Sequence, residues 1–179
     1  MPKLDGSNHI NLTVTDLDRS ARWYCRVFGF IVVNEVTPAG SGFSFKTLLD
    51  PRSFASVVLG QADEPDGRSF DERRVGLHHL AFHVPARSDL EEWVAHLDAI
   101  HVEHSGIRES GHEVGAQIWL RDPDQIWLEL YWVNRDFFVH RLRERWRIAR
   151  QAGQADTRTP VTAEDLMRGR AAPIRFSRR

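Results

Sequence analysis

Disulfide scaffolding is excluded at the outset, because the 179-residue chain holds one cysteine, Cys25. A lone thiol can neither close an internal bridge nor build a cysteine-rich zinc site. Long apolar runs are missing too. None approaches the roughly 20 residues of a membrane-spanning helix, and the N-terminal MPKLDGSNHI has no apolar h-region of the secretory kind. The expectation is a cytoplasmic protein with no membrane partner. Net charge is small, at −1, but the charges are unevenly placed. Residues 1–134 carry 12 Lys/Arg against 20 Asp/Glu, a net of −8, and residues 135–179 carry 12 Arg against 5 acids, a net of +7. No nucleic-acid recognition motif accompanies the basic tail, so its expected use is contact with the acidic body.

What is present is core material: 41% hydrophobic residues and six tryptophans, enough for one packed domain at this length. An internal repeat organises it. HINLTV (9–14) and HHLAFHV (78–84) have the same form, a His followed by an apolar-rich strand ending in Val; His9 stands five residues before Val14, and His79 five before Val84. After the first strand, Thr15 and Asp18 make a capping box, Ala21, Tyr24, Cys25 and Phe28 share a helical stripe, and Gly29 ends the helix. Strands follow at 30–36, 42–49 and 54–60, split by PAGSG and DPRS turns. The second unit repeats the order: Ser88 and Glu91 as a capping box, a helix with Leu90, Trp93, Val94 and Leu97, a short strand near VEHSGI, then GAQIWLR, a DPDQ turn and IWLELYW. Asp50-Pro51 matches Asp122-Pro123. The polar QADEPDGRSFDERR between the units reads as a surface loop.

Two βαβββ units, about 7–60 and 76–133, make an α+β domain over residues 1–134 in which curled mixed sheets form a cup. Residues 135–179 form a basic helical extension, with a stripe of Phe138, Leu142, Trp146 and Ala149 in a first helix and Thr162 capping a second, shorter one. That extension could cover a sheet's back, close the cup or pack on a partner subunit. The paired units, the opening histidines and the DPD turn leading into an apolar-Glu-Leu strand resemble the vicinal oxygen chelate superfamily. Its branches include glyoxalase I, fosfomycin-resistance enzymes, bleomycin-binding proteins and extradiol dioxygenases. The resemblance spans residue 7 to about residue 133.

In that superfamily the metal ligands sit on the first and last strands of the units and face into the cup. The resemblance therefore implies His9, His79 and Glu129. Aligning DPDQIWLELY on DPRSFASVVL sets Val57 opposite Glu129, where relatives with four protein ligands place one, so three ligands are expected here. The residue chemistry agrees independently. Glu129 lies between Leu128 and Leu130 in a very apolar strand, and an ionised carboxylate there is costly unless paired or coordinated. Two imidazoles and one carboxylate form a facial set with open positions, which suits iron(II) and also Mn(II), Co(II), Ni(II) or Zn(II). Strand alternation places His83 on the face of His79, as a proton carrier or an ordinary packed histidine, and turns His78 to the opposite face.

Residues 110–129, SGHEVGAQIWLRDPDQIWLE, resemble the extradiol dioxygenase signature through His112, Asp122, Pro123 and Glu129. Trp119 stands where that signature has Tyr, and Gln125 where it has Gly. The resemblance implies a small catecholic substrate and O2, with His112 or His83 moving protons, Asn11 near the oxygen site or simply polar at a strand edge, and Trp119 and Trp127 against the substrate. Other readings are a glyoxalase-like or fosfomycin-resistance-like metal enzyme and a metal-free binding protein with an aromatic groove lined by Trp119, Trp127 or Trp132. A homo-oligomer is among the expected assemblies.

Overall fold

A computed structural model describes residues 7–110 and 114–151. The first unit runs β1 (Ile10–Thr13), α1 (Leu17–Phe28), β2 (Ile31–Val36), β3 (Phe43–Leu49) and β4 (Ser56–Ala62). The second runs β5 (Leu80–His83), α2 (Asp89–Ala99), β6 (His104–Glu109), β7 (Gly115–Arg121) and β8 (Trp127–Val133), and α3 (Arg135–Gln151) follows. Each unit makes a four-stranded sheet, ordered β1-β4-β3-β2 and β5-β8-β7-β6. In both, the first strand pairs parallel with the last and the remaining pairs are antiparallel. The expected βαβββ duplication is therefore the observed architecture.

One face of each sheet is apolar and packs under its helix. In the first sheet Leu48, Val57 and Leu59 lie under Leu17, Ala21 and Tyr24 of α1; in the second, Ile118, Leu120, Leu128 and Leu130 join Leu90 and Leu97 of α2 in the same continuous core. Truncating one such leucine to alanine costs about 2–5 kcal/mol. The other face of each sheet is open and carries Asn11 in the first and His83, Trp119, Trp127 and Glu129 in the second.

The helix starts differ from the capping boxes read in the sequence. The cap of α1 is Asp16, not Thr15: its extended backbone lets the carboxylate accept from the Arg19 amide at 2.8 Å. Thr15 donates its hydroxyl to Asp124 instead, and Asp18 pairs with Lys46 at 2.5 Å. At α2, Ser88 is itself helical and makes no side-chain cap; Asp89 accepts from the Ala86 amide at 3.0 Å. Gly29 ends α1 as expected, in a left-handed conformation (φ 71°) with its amide on Cys25 O. The buried stripe of α1 takes in Val27, whereas Cys25 is only half-buried.

The repeat is offset by one residue at its last hairpin. The Asp50 amide bonds Ala55 O, whereas the Asp122 amide bonds Ile126 O, so the first turn is one residue longer. Exposed Phe54 occupies a left-handed conformation there (φ 59°). Downstream, Asn11 pairs with Val58 as Ala81 pairs with Glu129. The counterpart of Glu129 is thus Val58, not Val57, which is the counterpart of Leu128 and belongs to the core. Neither valine can ligate a metal.

The units are tied together by α1. Tyr24 donates to Asp122 Oδ2 at 3.1 Å, Ser20 to Asp124 Oδ2 at 3.1 Å, and Arg19 to Asp124 Oδ1 at 2.9 Å. The Phe28 ring lies 5.0 Å from that of Phe82, and His96 Nε2 bonds Val27 O at 2.9 Å. The tail stripe is not buried as a set. Phe138 is 47% exposed, whereas Phe137, Val139 and Leu142 are half-buried. The side chains of Trp146 and Ala149, and the second short helix expected near Thr162, lie outside the described residues. Among the described residues no helix is long and apolar enough to cross a membrane.

Candidate metal centre

Glu129 sits in mid-β8, where cross-strand register puts it beside Ala81 on one side and Trp119 on the other. It is 8% exposed. Burial pushes its carboxyl above the ordinary glutamate range, and the adjacent His79 pulls it part of the way back. His79 Nε2 stands 3.4 Å from Glu129 Oε2. Its other nitrogen, Nδ1, lies 2.8 Å from His78 Nδ1, so one ring donates to the other. His78 was expected on the opposite face. It touches His79 because both precede the first paired residue, Leu80, and strand alternation has not yet begun.

The aromatic wall expected from Trp119 and Trp127 is present. Trp119 meets His79 edge-on at 5.0 Å and Trp127 at 5.9 Å. Arg121 lies 3.6 Å over Trp127 and reaches Glu72 of the inter-unit loop at 3.5 Å. His83 is exposed, with Arg135 3.4 Å from its Nε2.

The two expected ligands of the second unit therefore come together, and the one from the first does not join them. His9 is exposed, with its Nδ1 2.8 Å from Asn8 Oδ1. Among the described residues no three His, Cys, Asp or Glu side chains gather as a metal-holding group. Asn11 lies on the open face of the first sheet, its Oδ1 over Gly60. His112 lies outside the described residues. Two residues that the sequence reading passed over, Gln117 and Tyr131, share the face of Glu129. Both were available from the period-two rule applied one step beyond Trp119 and Glu129.

The family model for the glyoxalase/bleomycin resistance protein/dioxygenase superfamily matches residues 6–130. A catechol-2,3-dioxygenase of Bacillus subtilis is 29% identical over 178 residues, covering 93% of this chain and 54% of the relative. The chain thus spans about half the length of that protein. A solved glyoxylase/bleomycin resistance protein/dioxygenase domain from Frankia is 32% identical, with a TM-score of 0.66 over 73% of this chain and 93% of the other. The fosfomycin resistance protein FosX of Listeria monocytogenes shares the fold at 22% identity, with a TM-score of 0.56 over 72% of this chain and 94% of that one.

Proposed function

The chain belongs to the glyoxalase/bleomycin resistance protein/dioxygenase superfamily, and from that membership we propose that it is a divalent-metal enzyme, specifically an iron(II)-dependent ring-cleaving dioxygenase of the extradiol type acting on a small catecholic compound. The observation that carries this reading is the buried Glu129 carboxylate beside His79 Nε2 on an open, aromatic-walled sheet face. A desolvated carboxylate with one imidazole partner is a costly arrangement that a cation would relieve. The donor set of His79 and Glu129, completed by His9, fits a hard or borderline divalent ion. Because the single chain leaves His9 apart, the reading takes the third ligand from a second copy. The exposed apolar residues Ile31, Val32, Val33 and Val36 on edge strand β2 supply a surface for such pairing.

Bound iron(II) would supply the Lewis acidity and electron transfer that dioxygen chemistry requires. The residues of the chain do the rest. Glu129 and His79 bind in their deprotonated forms, and His78 fixes the orientation of the His79 ring. Trp119 and Trp127 hold the substrate ring edge-on and exclude water. His83 is assigned proton uptake from the substrate, for which the Arg135 guanidinium that its Nε2 accepts from at 3.4 Å must swing away. His112 is assigned the complementary role of proton donor, and Asn11 a place near the dioxygen site. The B. subtilis relative, a catechol-2,3-dioxygenase whose match covers 93% of this chain and so reaches into the tail, supports the substrate class.

Anaerobic purification, reconstitution with iron(II) and oxygen-uptake measurements across a catechol panel test this directly. A yellow ring-opened product is expected. Absence of uptake, together with thiol-dependent isomerase or transferase activity, would move the assignment to the glyoxalase or fosfomycin-resistance branch. Trp119 favours that second reading, since it offers a donor at a different height from the signature tyrosine.

A further inference from the structure

All four strands of the second sheet contribute one residue to a row beside the proposed metal ligands, and three of its members have no part in the proposed reaction. Cross-strand partners project from the same face of a sheet. The pairs Arg108–Gln117, Gln117–Tyr131 and Tyr131–His83 therefore set these four side chains abreast on the face of Glu129. The neighbouring row holds Trp119, Glu129 and Ala81. Successive same-face positions on a strand are about 7 Å apart, so the two rows run parallel at that spacing.

The chemistry of the row is one-sided. It offers a guanidinium, an amide, a phenol and an imidazole, and no carboxylate. Arg135 adds a second cation at the His83 end, 3.4 Å from Nε2. Glu109 does not offset Arg108, because it points to the opposite face, where Arg87 holds it at 2.8 Å. The row is also shaped. A Cβ at Gly115 would collide first with the Trp132 carbonyl oxygen and would also fall 2.9 Å from Tyr131 Oη, so the bare glycine admits both the backbone and the phenol that lies along the sheet.

We infer that this row is a recognition subsite for a carboxylate on the substrate, held by Arg108 and Tyr131 in the row about 7 Å from that of Glu129, and that the substrate class is an aromatic vicinal diol bearing an acidic side group rather than a neutral catechol. Arginine matches a planar carboxylate with two parallel donors, and a tyrosine hydroxyl adds a third. The assignment deepens the proposed function and rests on Glu129 and His79 marking the reacting end.

The test uses the metal-free full chain, so that it does not depend on metal loading. Tryptophan emission is titrated with 3,4-dihydroxyphenylacetate and with its neutral amide. The acid should bind about tenfold more tightly than the amide, the size of one charge-assisted contact. Arg108→Gln and, more weakly, Tyr131→Phe should bring the two ligands to parity, while Glu129→Gln should keep the preference. Equal binding by the unaltered protein, or a preference that survives Arg108→Gln, overturns the subsite. If the preference stands but iron(II) fails to bind the unaltered protein, the subsite holds and the metal reading falls.

Discussion

The two repeats share a backbone plan and divide the chemistry unequally. Both open with a histidine, run a parallel strand pair and place the middle of the last strand on an open face. In the first unit that central position is Val58, next to Asn11; in the second it is Glu129, next to Ala81 and Trp119. The scaffold therefore tolerates either an apolar or an anionic residue at one and the same place. What separates them is their surroundings: the second unit brings an imidazole to 3.4 Å of the carboxylate, while among the described residues His9 in the first bonds Asn8. A duplicated fold supplies two equivalent faces, and the site appears where one of them concentrates donors.

The comparison breaks most completely at the ligands. His79→Ala and Glu129→Ala should each lower iron(II) affinity by at least about 100-fold with far-UV dichroism unchanged, as metal titration in the presence of a competing chelator would reveal. Stoichiometric metal in both variants would remove the site. His9→Ala mixed with Glu129→Ala should recover part of the binding if ligands are shared between copies, and none if each chain closes its own site.

Making the first unit resemble the second is the next test. Val58→Glu should tighten metal binding about tenfold by adding a fourth donor, and should slow turnover by filling an open position. A metal isotherm identical to that of the unaltered protein would separate the two faces in space.

The contact between the units carries a pH signature. Asp122 is 2% exposed, and burial pushes its carboxyl up to about 6 despite the Ile126 and Asp124 amides and the Tyr24 hydroxyl that bond it. The folded state thus binds the proton more tightly than the unfolded chain. The contribution is fully present below about pH 4 and is lost as pH rises through about 6, a change on the order of 3 kcal/mol. Asp122→Asn should flatten the difference in denaturant stability between pH 4.5 and pH 7.5; an unchanged slope would place the proton elsewhere.

The smallest effect concerns the hairpins that put the repeats out of step. Gln125 and Phe54 adopt φ of 67° and 59°. A left-handed conformation costs a residue with a side chain about 1–2 kcal/mol. Gln125→Gly and Phe54→Gly should each stabilise by up to roughly 1 kcal/mol in urea unfolding, with iron(II) affinity unaltered.

The helix caps and the register show where local pattern stopped being sufficient. Thr15-x-x-Asp18 satisfies the capping pattern, yet the Thr15 hydroxyl goes to Asp124 in the other unit, 109 residues away. Aspartate at 16 was an equally good local cap, and only the inter-unit contact decided between them. The alignment of DPRS on DPDQ failed by one residue because turn length depends on backbone dihedrals, and the side chains of Phe54 and Gln125 do not announce a left-handed conformation. The tail stripe differs at Phe138, which is exposed while Phe137 and Val139 are half-buried, because a 3.6-residue period fits more than one helical face.

The pair His79 and Glu129 was implied by resemblance to the superfamily, while the duplicated βαβββ order and the apolar faces under the helices were determined by the sequence alone. Each is written in short-range periodicity, where residues two or about four apart must share a surface. The tertiary structure decided which carboxylate caps which helix, that Val58 rather than Val57 mirrors Glu129, that His9 stands apart from the pair, and that Arg108, Gln117, Tyr131 and His83 fall in one row. These depend on strand register and on contacts between units about a hundred residues apart. Pairing energies and close packing fix them only after the chain has folded, so no local stretch of sequence encodes them.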